Sequence, residues 1–170
     1  MSHTHTLSVL VENKPGVLTR VSALFTRRGF NIHSLAVGPT EREDISRITV
    51  IADAEGLAME QVVKQLNKLV NVLKIVELDP ATSVERELYL IKVRADDANR
   101  TAVLQVVDLF RAHVIDVAPT SVVIETVGSE SKVRALLTAL QPYGVKEIVQ
   151  SGTVAITRGP RAMTDQLKEK

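Results

Sequence analysis

Hydrophobic and polar residues alternate along the chain in two periods, and these periods follow one another in a regular order. The first segment, "THTLSVLVE" (4–12), alternates with a period of two and predicts a strand with one apolar face. A helical period then runs from Pro15 to Arg28, with the arginines on the polar side. Gly29 follows directly and is a predicted left-handed helix cap.

The rest of the first half predicts a hairpin, a second helix and a fourth strand. Residues 30–40 and 46–53 alternate as strands, and the charged turn "EREDI" separates them. Residues 57–70 have the helical period, and "VLKIVELD" (72–79) has the pattern of a strand. The first half therefore reads βαββαβ. "PATSVE" (80–85) contains a proline and small polar residues, and it predicts an interdomain linker.

The second half repeats this order at a spacing of roughly 75 residues, although the residue identities differ. The predicted elements are a strand over 86–95, a helix after Asp97, a hairpin over 113–120 and 121–128, and a helix from about Ser131 to Leu140, and the segment 145–159 ends the domain. We therefore predict an α+β protein with two ferredoxin-like βαββαβ domains in tandem, over 4–79 and 86–159. The charged residues 160–170 have no period and predict a frayed tail.

Two helices can cover only one face of a four-stranded sheet, so the other face of each sheet must be polar or must have a partner. In the strand "NIHSLAV", the apolar residues Ile32, Leu35 and Val37 occupy both even- and odd-numbered positions, so they are expected on both faces of the strand. This pattern is expected where an edge strand meets another subunit, and it favours oligomerisation.

Composition narrows the possible functions. The 170 residues include no cysteine, which excludes disulfides and thiol chemistry. The N-terminal sequence lacks the order of a signal peptide and no long apolar run occurs, so a cytoplasmic location is expected. A net charge of +1 gives no general attraction to nucleic acid. Two Tyr, three Phe and no Trp leave few rings for base stacking, which argues against a tandem RNA-binding protein of the same fold.

The chain contains no recognisable catalytic constellation. No phosphate loop, GxGxxG, HExxH or GxSxG motif is present. His3 and His5 lie in a terminus that we expect to be mobile, whereas a structural zinc site requires four fixed ligands. His33 and Ser34 are adjacent in a predicted strand and point to opposite faces. Asp96 and Asp97 precede a predicted helix, where capping explains them. We expect no active site and no metal site.

The start of the first helix, "NKPGVL" (13–18), is the stretch that calls for another explanation. Proline at the first helical position is common and by itself requires no ligand. Glycine in a first turn, however, costs about 1 kcal/mol relative to alanine. Its missing Cβ would let an anion such as a carboxylate approach the amides of Gly16, Val17 and Leu18. The residues alone leave a ligand site and a plain helix start both open.

A second half-site is predicted at "GFNI" (29–32), where Asn31 opens the next strand. In a βαββαβ unit this position and the helix start lie at opposite ends of the helix. Two subunits joined edge to edge in antiparallel fashion would bring them together. The surrounding side chains are small and aliphatic, which favours a small aliphatic amino acid as ligand. They are Val11, Val17, Leu18 and Ile32.

The segment "SVLVENKPGVLTRVSALFTRRGFNIHSLAVGPTE" resembles the ACT domain that opens the regulatory subunits of acetohydroxyacid synthase, also called acetolactate synthase. The resemblance continues through "KQLNKLVNVLKIVEL", "FRAHVIDVAPTSVVIE" and "QSGTVAITRG", and it covers about Thr4 to Gly159. Phe30 stands where this family often has Tyr, and His33 where it often has Glu.

The resemblance implies a non-catalytic subunit that activates a larger catalytic subunit and makes it sensitive to feedback by valine or a related branched-chain amino acid. It places thiamine diphosphate, Mg²⁺ and FAD on the catalytic partner and none of them on this chain. It implies a homodimer through the ACT domains. The first domain alone would also allow a free-standing amino-acid sensor. The implied effector-binding residues are Asn13, Gly16, Val17 and Leu18 of one chain, with Asn31 and Ile32 of the other.

Overall fold

A computed structural model describes residues 4–165 and 167, which divide into two compact units. One unit contains the described residues up to Val84 together with those from Thr153 onward. The other unit is Glu85–Gly152. The second unit is therefore an insertion in the chain of the first, whereas the sequence predicted two consecutive domains, over 4–79 and 86–159, joined by a linker over 80–85.

The first unit has the predicted βαββαβ order, followed by a short strand from the end of the chain. Its elements are β1 (Thr4–Glu12), α1 (Val17–Arg27), β2 (Ile32–Pro39), β3 (Ile45–Asp53), α2 (Gly56–Asn67), β4 (Val72–Leu78) and β9 (Val154–Thr157). The main sheet is antiparallel with the strand order β2-β3-β1-β4, so β2 lies at an edge.

The core of the first unit lies between one face of this sheet and the two helices. Val9, Val50 and Phe25 are among its fully buried side chains and come from β1, β3 and α1. Helix α1 ends as predicted: Gly29 has φ +70°, and the N–H of Phe30 donates to the carbonyl of Phe25.

The opposite face of the first sheet, here called the back face, is covered by the C-terminal segment of the same chain. Directly paired residues of an antiparallel sheet share a face, so Ser8, Thr49 and Val76 lie together on this side. Ser8 and Thr49 are only 1% and 3% exposed, and Leu10 on the same face is fully buried.

Residues 153–165, here called the C-terminal segment, contact the strands of this sheet and the turn after β2. The Thr153 N–H donates to Ser34 Oγ at 2.7 Å, an Arg47 N–H donates to the Ala155 carbonyl at 3.4 Å, and Lys74 Nζ donates to the Met163 carbonyl at 3.0 Å. Thr164 also donates to Glu41, which lowers the pKa of that carboxyl group. The frayed tail expected over 160–170 is thus wrong for residues up to Asp165, and the expected partner of this face is the chain itself.

The second unit contains β5 (Ser83–Arg94), which begins two residues before the unit does, α3 (Arg100–Leu109), β6 (His113–Ala118), β7 (Ser121–Gly128), α4 (Glu130–Leu140) and β8 (Val145–Gln150). Its strand order is β6-β7-β5-β8. A second apolar core, with Ile91, Ile124 and Leu136 fully buried, lies between this sheet and its helices. The tandem α+β fold predicted from the sequence is confirmed.

Two local predictions need correction. The segment 145–159, expected to end the second domain, forms two short strands, β8 and β9, which are separated by residues 151–153 and both pair with β5. The expected linker over 80–85 is an ordered turn that runs into β5. The Ala81 N–H donates to Asp79 Oδ1 at 2.8 Å, and Ser83 Oγ donates to the Asp79 carbonyl at 2.6 Å.

Candidate functional site

The loop between β1 and α1 contains the predicted half-site, but its glycine is needed for a reason that the sequence analysis did not identify. Gly16 has φ +82° and ψ −6°, and α1 begins only at Val17. These angles are those of the third residue of a type II turn, a position that favours glycine and commonly follows proline. Pro15 therefore belongs to the turn and not to the first position of the helix, contrary to the prediction.

The amides that follow this turn are open. The first N–H bonded back along α1 is that of Arg20, which donates to the Gly16 carbonyl at 3.2 Å. No side chain caps the helix, so the N–H groups of Val17 and Leu18 have no partner among the described residues. A Cβ built at Gly16 would meet no atom within 4 Å. These N–H groups are free to donate to an anion, so the predicted ligand site stays a prediction at this position.

Asn13 holds this loop against the turn between β2 and β3. Its backbone N–H donates to the Asp44 carbonyl at 2.9 Å, and its side-chain amide donates to the Glu43 carbonyl at 3.3 Å. The carboxamide oxygen of Asn13 accepts no hydrogen bond in the described part of the chain. Asn13 therefore supports the loop with its N–H groups and offers an acceptor beside the open amides.

Within one chain, Asn31 and Ile32 lie far from this loop. Ile32 pairs with Ala52, whereas Pro39 at the other end of β2 pairs with Ser46, next to the Ile45–Glu12 pair. At about 3.3 Å per residue, these two ends of β2 are roughly 23 Å apart. The structure brings Asn13, Gly16, Val17 and Leu18 together and separates them from Asn31 and Ile32.

Strand β2 contains a β-bulge at His33. The prediction that its apolar residues lie on both faces of the strand is therefore wrong. The register shifts between Ile32 and Ser34, so His33 is an extra residue in the strand. Because of this shift, Ile32, Leu35 and Val37 pair with Ala52, Val50 and Ile48, which all lie in the core between sheet and helices. The three apolar residues of β2 therefore share one face.

His33 and Asp53 form a polar cluster beside Asn31. His33 Nε2 lies 2.5 Å from Asp53 Oδ2, Thr4 Oγ1 donates to Asp53 Oδ1 at 3.1 Å, and the Asp53 N–H donates to the Asn31 carbonyl at 3.2 Å. The hydrogen bond from His33 is the largest influence on the pKa of Asp53, which lies below its usual value although burial opposes the shift. This cluster fixes the start of β2.

Apolar side chains are exposed on the edge strand β2 and on the first turn of α1. Leu35 and Val37 are 37% and 50% exposed although they lie on the helix-covered face, and Leu18 in the first turn of α1 is 40% exposed. Apolar residues on an edge strand with unpaired backbone groups are a surface on which another strand can add.

In the second unit, side chains bind the backbone of the turn that leads into α3. Asp96 Oδ1 accepts the N–H groups of Ala98 and Asn99 at 3.0 and 3.2 Å, and Asn99 Oδ1 accepts the Asp96 N–H at 2.7 Å. Burial acts to raise the pKa of Asp96, but these N–H groups and Arg94 outweigh it and lower the pKa. Asp96 therefore caps this turn, as its position before a predicted helix suggested, whereas α3 itself starts after Asn99 without a side-chain cap.

Other candidate groups offer no competing site. His5 lies in β1, with its ring bonded to Glu77 and 3.2 Å from the Ala54 carbonyl, so the expected mobile location is wrong. His3 lies outside the described residues. Among residues 4–165 and 167, no three His, Cys, Asp or Glu side chains are grouped to hold a metal ion. In the same residues, no helix has the length and apolar character needed to span a membrane.

A cavity of about 1060 Å³ lies between the back face of the first sheet and the C-terminal segment. Its walls include Arg47, Lys74 and Met163, and none of the predicted effector-binding residues lines it. The cavity and the open helix start are therefore separate features of the first unit.

The chain has two βαββαβ units, and in the first unit a turn with glycine leads into a helix whose first N–H groups are open. These features place the chain in the ACT-domain class. Residues 7–74 match a family model for the AHAS small subunit-like ACT domain, and residues 86–159 match a model for the small subunit of acetolactate synthase. The chain belongs to the acetolactate synthase small-subunit family, and the resemblance found in the sequence is confirmed.

Individual relatives extend this result over nearly the whole chain. The acetolactate synthase small subunit of Mycobacterium bovis is 60% identical over 160 residues, covering 94% of this chain and 95% of that protein. A probable acetolactate synthase small subunit of Archaeoglobus fulgidus is 50% identical over 155 residues, covering 91% and 97%. The crystal structure of the small subunit from Thermotoga maritima superposes with a TM-score of 0.86 at 42% identity, covering 94% and 99%.

Sequence analysis missed the residues that support the helix start. Asn71, between α2 and β4, contacts both the end of β1 and the first turn of α1. Locally it is an ordinary turn residue, and only the folded chain shows its contacts.

Proposed function

We propose that this chain is the non-catalytic regulatory subunit of acetolactate synthase in branched-chain amino acid biosynthesis. It binds the catalytic large subunit, raises its activity, and makes it sensitive to feedback by valine or a related branched-chain amino acid. Family membership over almost the whole chain is the observation that carries the assignment. Thiamine diphosphate, Mg²⁺ and FAD belong to the catalytic subunit, and the complex acts in the cytoplasm.

The effector site is formed between two chains. When two β2 edges pair in antiparallel fashion, the start of β2 in one chain lies beside the end of β2 in the other. That end of the sheet, marked by the Pro39–Ser46 and Glu12–Ile45 pairs, also carries the open helix start. Asn31 and Ile32 of the second chain then complete the half-site of Asn13, Gly16, Val17 and Leu18.

Each part of an amino acid has a suitable group in this arrangement. The open N–H groups after Gly16 donate to the carboxylate, and the carboxamide oxygens of Asn13 and Asn31 accept hydrogen bonds from the ammonium group. Leu18 and Ile32 provide an aliphatic surface for a small side chain. In the second unit, the Asp96 carboxylate lies in the turn before α3, where it binds the N–H groups of Ala98 and Asn99 and would repel the carboxylate of an effector. We therefore infer one half-site per chain and two complete sites per homodimer.

Regulation follows from the thermodynamic linkage between effector binding and the arrangement of the dimer. An effector bound between two ACT domains stabilises one dimer arrangement over another, and the catalytic subunit responds to that arrangement. The shift is limited by the difference in effector affinity between the two states. A tenfold difference corresponds to about 1.4 kcal/mol.

Reconstitution with the purified catalytic subunit tests this proposal. We expect added regulatory chain to raise synthase activity, and we expect valine, leucine or isoleucine to reverse part of that increase. The catalytic subunit alone, titrated with the same amino acids, is the control. If the chain binds valine in calorimetry but neither binds nor activates the catalytic subunit, it is a free-standing amino-acid sensor and the proposal is wrong.

A further inference from the structure

We propose that Asn71 is a positioning residue for the effector site, and that it sets effector affinity by holding the open helix start in its binding conformation. The inference rests on the proposed function, because it concerns the same site. Asn71 itself need not contact the effector. It lies in the turn between α2 and β4, on the far side of β1 from the β2 edge in the strand order.

Asn71 connects the two segments that frame the effector loop. Its side-chain N–H donates to Glu12 Oε2 at 3.1 Å, and its backbone carbonyl accepts the backbone N–H of Glu12 at 2.9 Å. Its side-chain oxygen accepts an N–H of Arg20 at 2.8 Å. Glu12 is the last residue of β1, and Arg20 lies in the first turn of α1. One amide side chain thus bridges the residues on both sides of the Gly16 turn.

The geometry of this bridge determines the position of the open amides. Arg20 supplies the first N–H bonded back along α1, to the Gly16 carbonyl, so its position is coupled to that of Gly16. The Glu12 carboxylate is also paired with Lys14 Nζ at 2.8 Å. Hydrogen bonds to charged groups are stronger than those between neutral groups, and both side-chain bonds of Asn71 are of this kind.

The other interactions of the loop do not replace this bridge. Asn13 fixes the start of the loop to Glu43 and Asp44, on the β3 side of β1. Asn71 holds it from the β4 side and is the residue that also contacts α1. Without the Asn71 side chain, the loop keeps the contacts of Asn13 and the backbone hydrogen bond of Glu12, while the first turn of α1 loses its hydrogen-bonded connection to β1. Effector binding must then order the helix start, which lowers the affinity.

Asn71→Ala removes both side-chain bonds, and we expect it to weaken valine binding by about tenfold. The matched control is Asn67→Ala, four residues earlier at the exposed end of α2, which should bind valine as the wild type does. The measurement is the valine concentration that gives half-maximal inhibition of the reconstituted holoenzyme. It is made well below the unfolding temperature of each variant, so that loss of stability does not contribute.

Two variants that exchange the charges of residues 12 and 71 distinguish a positioning role of Asn71 from a general loss of packing. Asn71→Asp alone places two carboxylates against each other, and we expect it to weaken valine binding by at least tenfold. Glu12→Gln combined with Asn71→Asp restores a donor facing an acceptor and keeps the acceptor for Arg20. The double variant should return to within about threefold of the wild type.

The outcomes distinguish the two proposals. If wild-type holoenzyme responds to valine and folded Asn71→Ala responds at the same concentration, the positioning role of Asn71 is wrong. Failure of the double variant to recover affinity lost by Asn71→Asp also contradicts it. A wild-type holoenzyme that ignores valine, leucine and isoleucine overturns the proposed function instead.

Discussion

At the scale of single residues, Gly16 shows how one position can meet two requirements. Its φ of +82° lies in the left-handed region, where residues with a Cβ are strained, and the space beside it is open. The sequence argument found the glycine through the cost of placing it in a first helical turn. The structure instead puts it before the helix, where the type II turn requires it. In either position of Gly16, the backbone N–H groups that follow it are accessible.

Substitution of Gly16 tests the anion site directly. We expect Gly16→Asp to abolish valine inhibition of the reconstituted holoenzyme, because its carboxylate would lie beside that of the effector. Gly16→Asn is the matched control, since Asn has nearly the same shape and tolerates positive φ better than most residues. It should share the loss of thermal stability and retain part of the valine response. Two variants as valine-sensitive as the wild type would show that the pocket is elsewhere.

At the scale of elements, strand β2 combines three features that matter for assembly. It is an edge strand, it has a bulge at His33, and it exposes Leu35 and Val37 beside α1. The bulge brings Ile32 onto the same face as the other two apolar residues. The sequence indicated an unusual strand but could not show a bulge, because period-two patterns do not reveal where an extra residue enters the register.

Charge on this edge should disrupt the proposed homodimer. Val37→Lys would bury two unpaired ammonium groups at the proposed interface, and we expect the dissociation constant of the dimer to rise at least about a hundredfold. Val127→Lys is the matched control, because Val127 on β7 is 52% exposed, close to the 50% of Val37. Sedimentation velocity over a concentration series gives the dissociation constants. Equal effects of the two substitutions would contradict dimerisation through β2.

At the scale of the whole molecule, the chain returns to its first unit after completing the second. The C-terminal segment covers the back face of the first sheet, where Leu10 is fully buried together with a row of hydroxyl side chains. Sequence analysis assigned these residues to the end of the second domain and to a frayed tail. The strand is present as β9 and pairs with β5, but its contacts with the back face of the first sheet were not predicted, because the pattern "TVAIT" predicts a strand and not the surface that the strand covers.

Ending the chain at Gly152 should therefore destabilise the first unit selectively. Exposure of a buried leucine costs about 1.5–3 kcal/mol, so we expect its unfolding midpoint to fall by at least about 5 °C. Hydrogen exchange should increase in β1 and β4, whereas α3 and α4 of the second unit serve as the internal control. Unchanged exchange in β1 would mean that the C-terminal segment does not stabilise this sheet.

The sequence by itself determined the local elements and their order. Alternation in Leu7, Val9 and Val11 and the helical period after Pro15 depend on side chains only a few residues apart, so the chain carries them without reference to its fold. The same holds for the Gly29 cap and for the turn that Asp96 forms before α3. The residue pattern was also specific enough to indicate the family and the open helix start.

Only the tertiary structure decided which distant residues meet. The bulge at His33, the bridge from Asn71 to Glu12 and Arg20, and the return of residues 153–165 to the first sheet all join segments far apart in the chain. Such contacts depend on long-range packing and on hydrogen bonds that many polar residues could make equally well. Local periodicity contains no information about these choices, whereas the folded backbone allows only one set of partners.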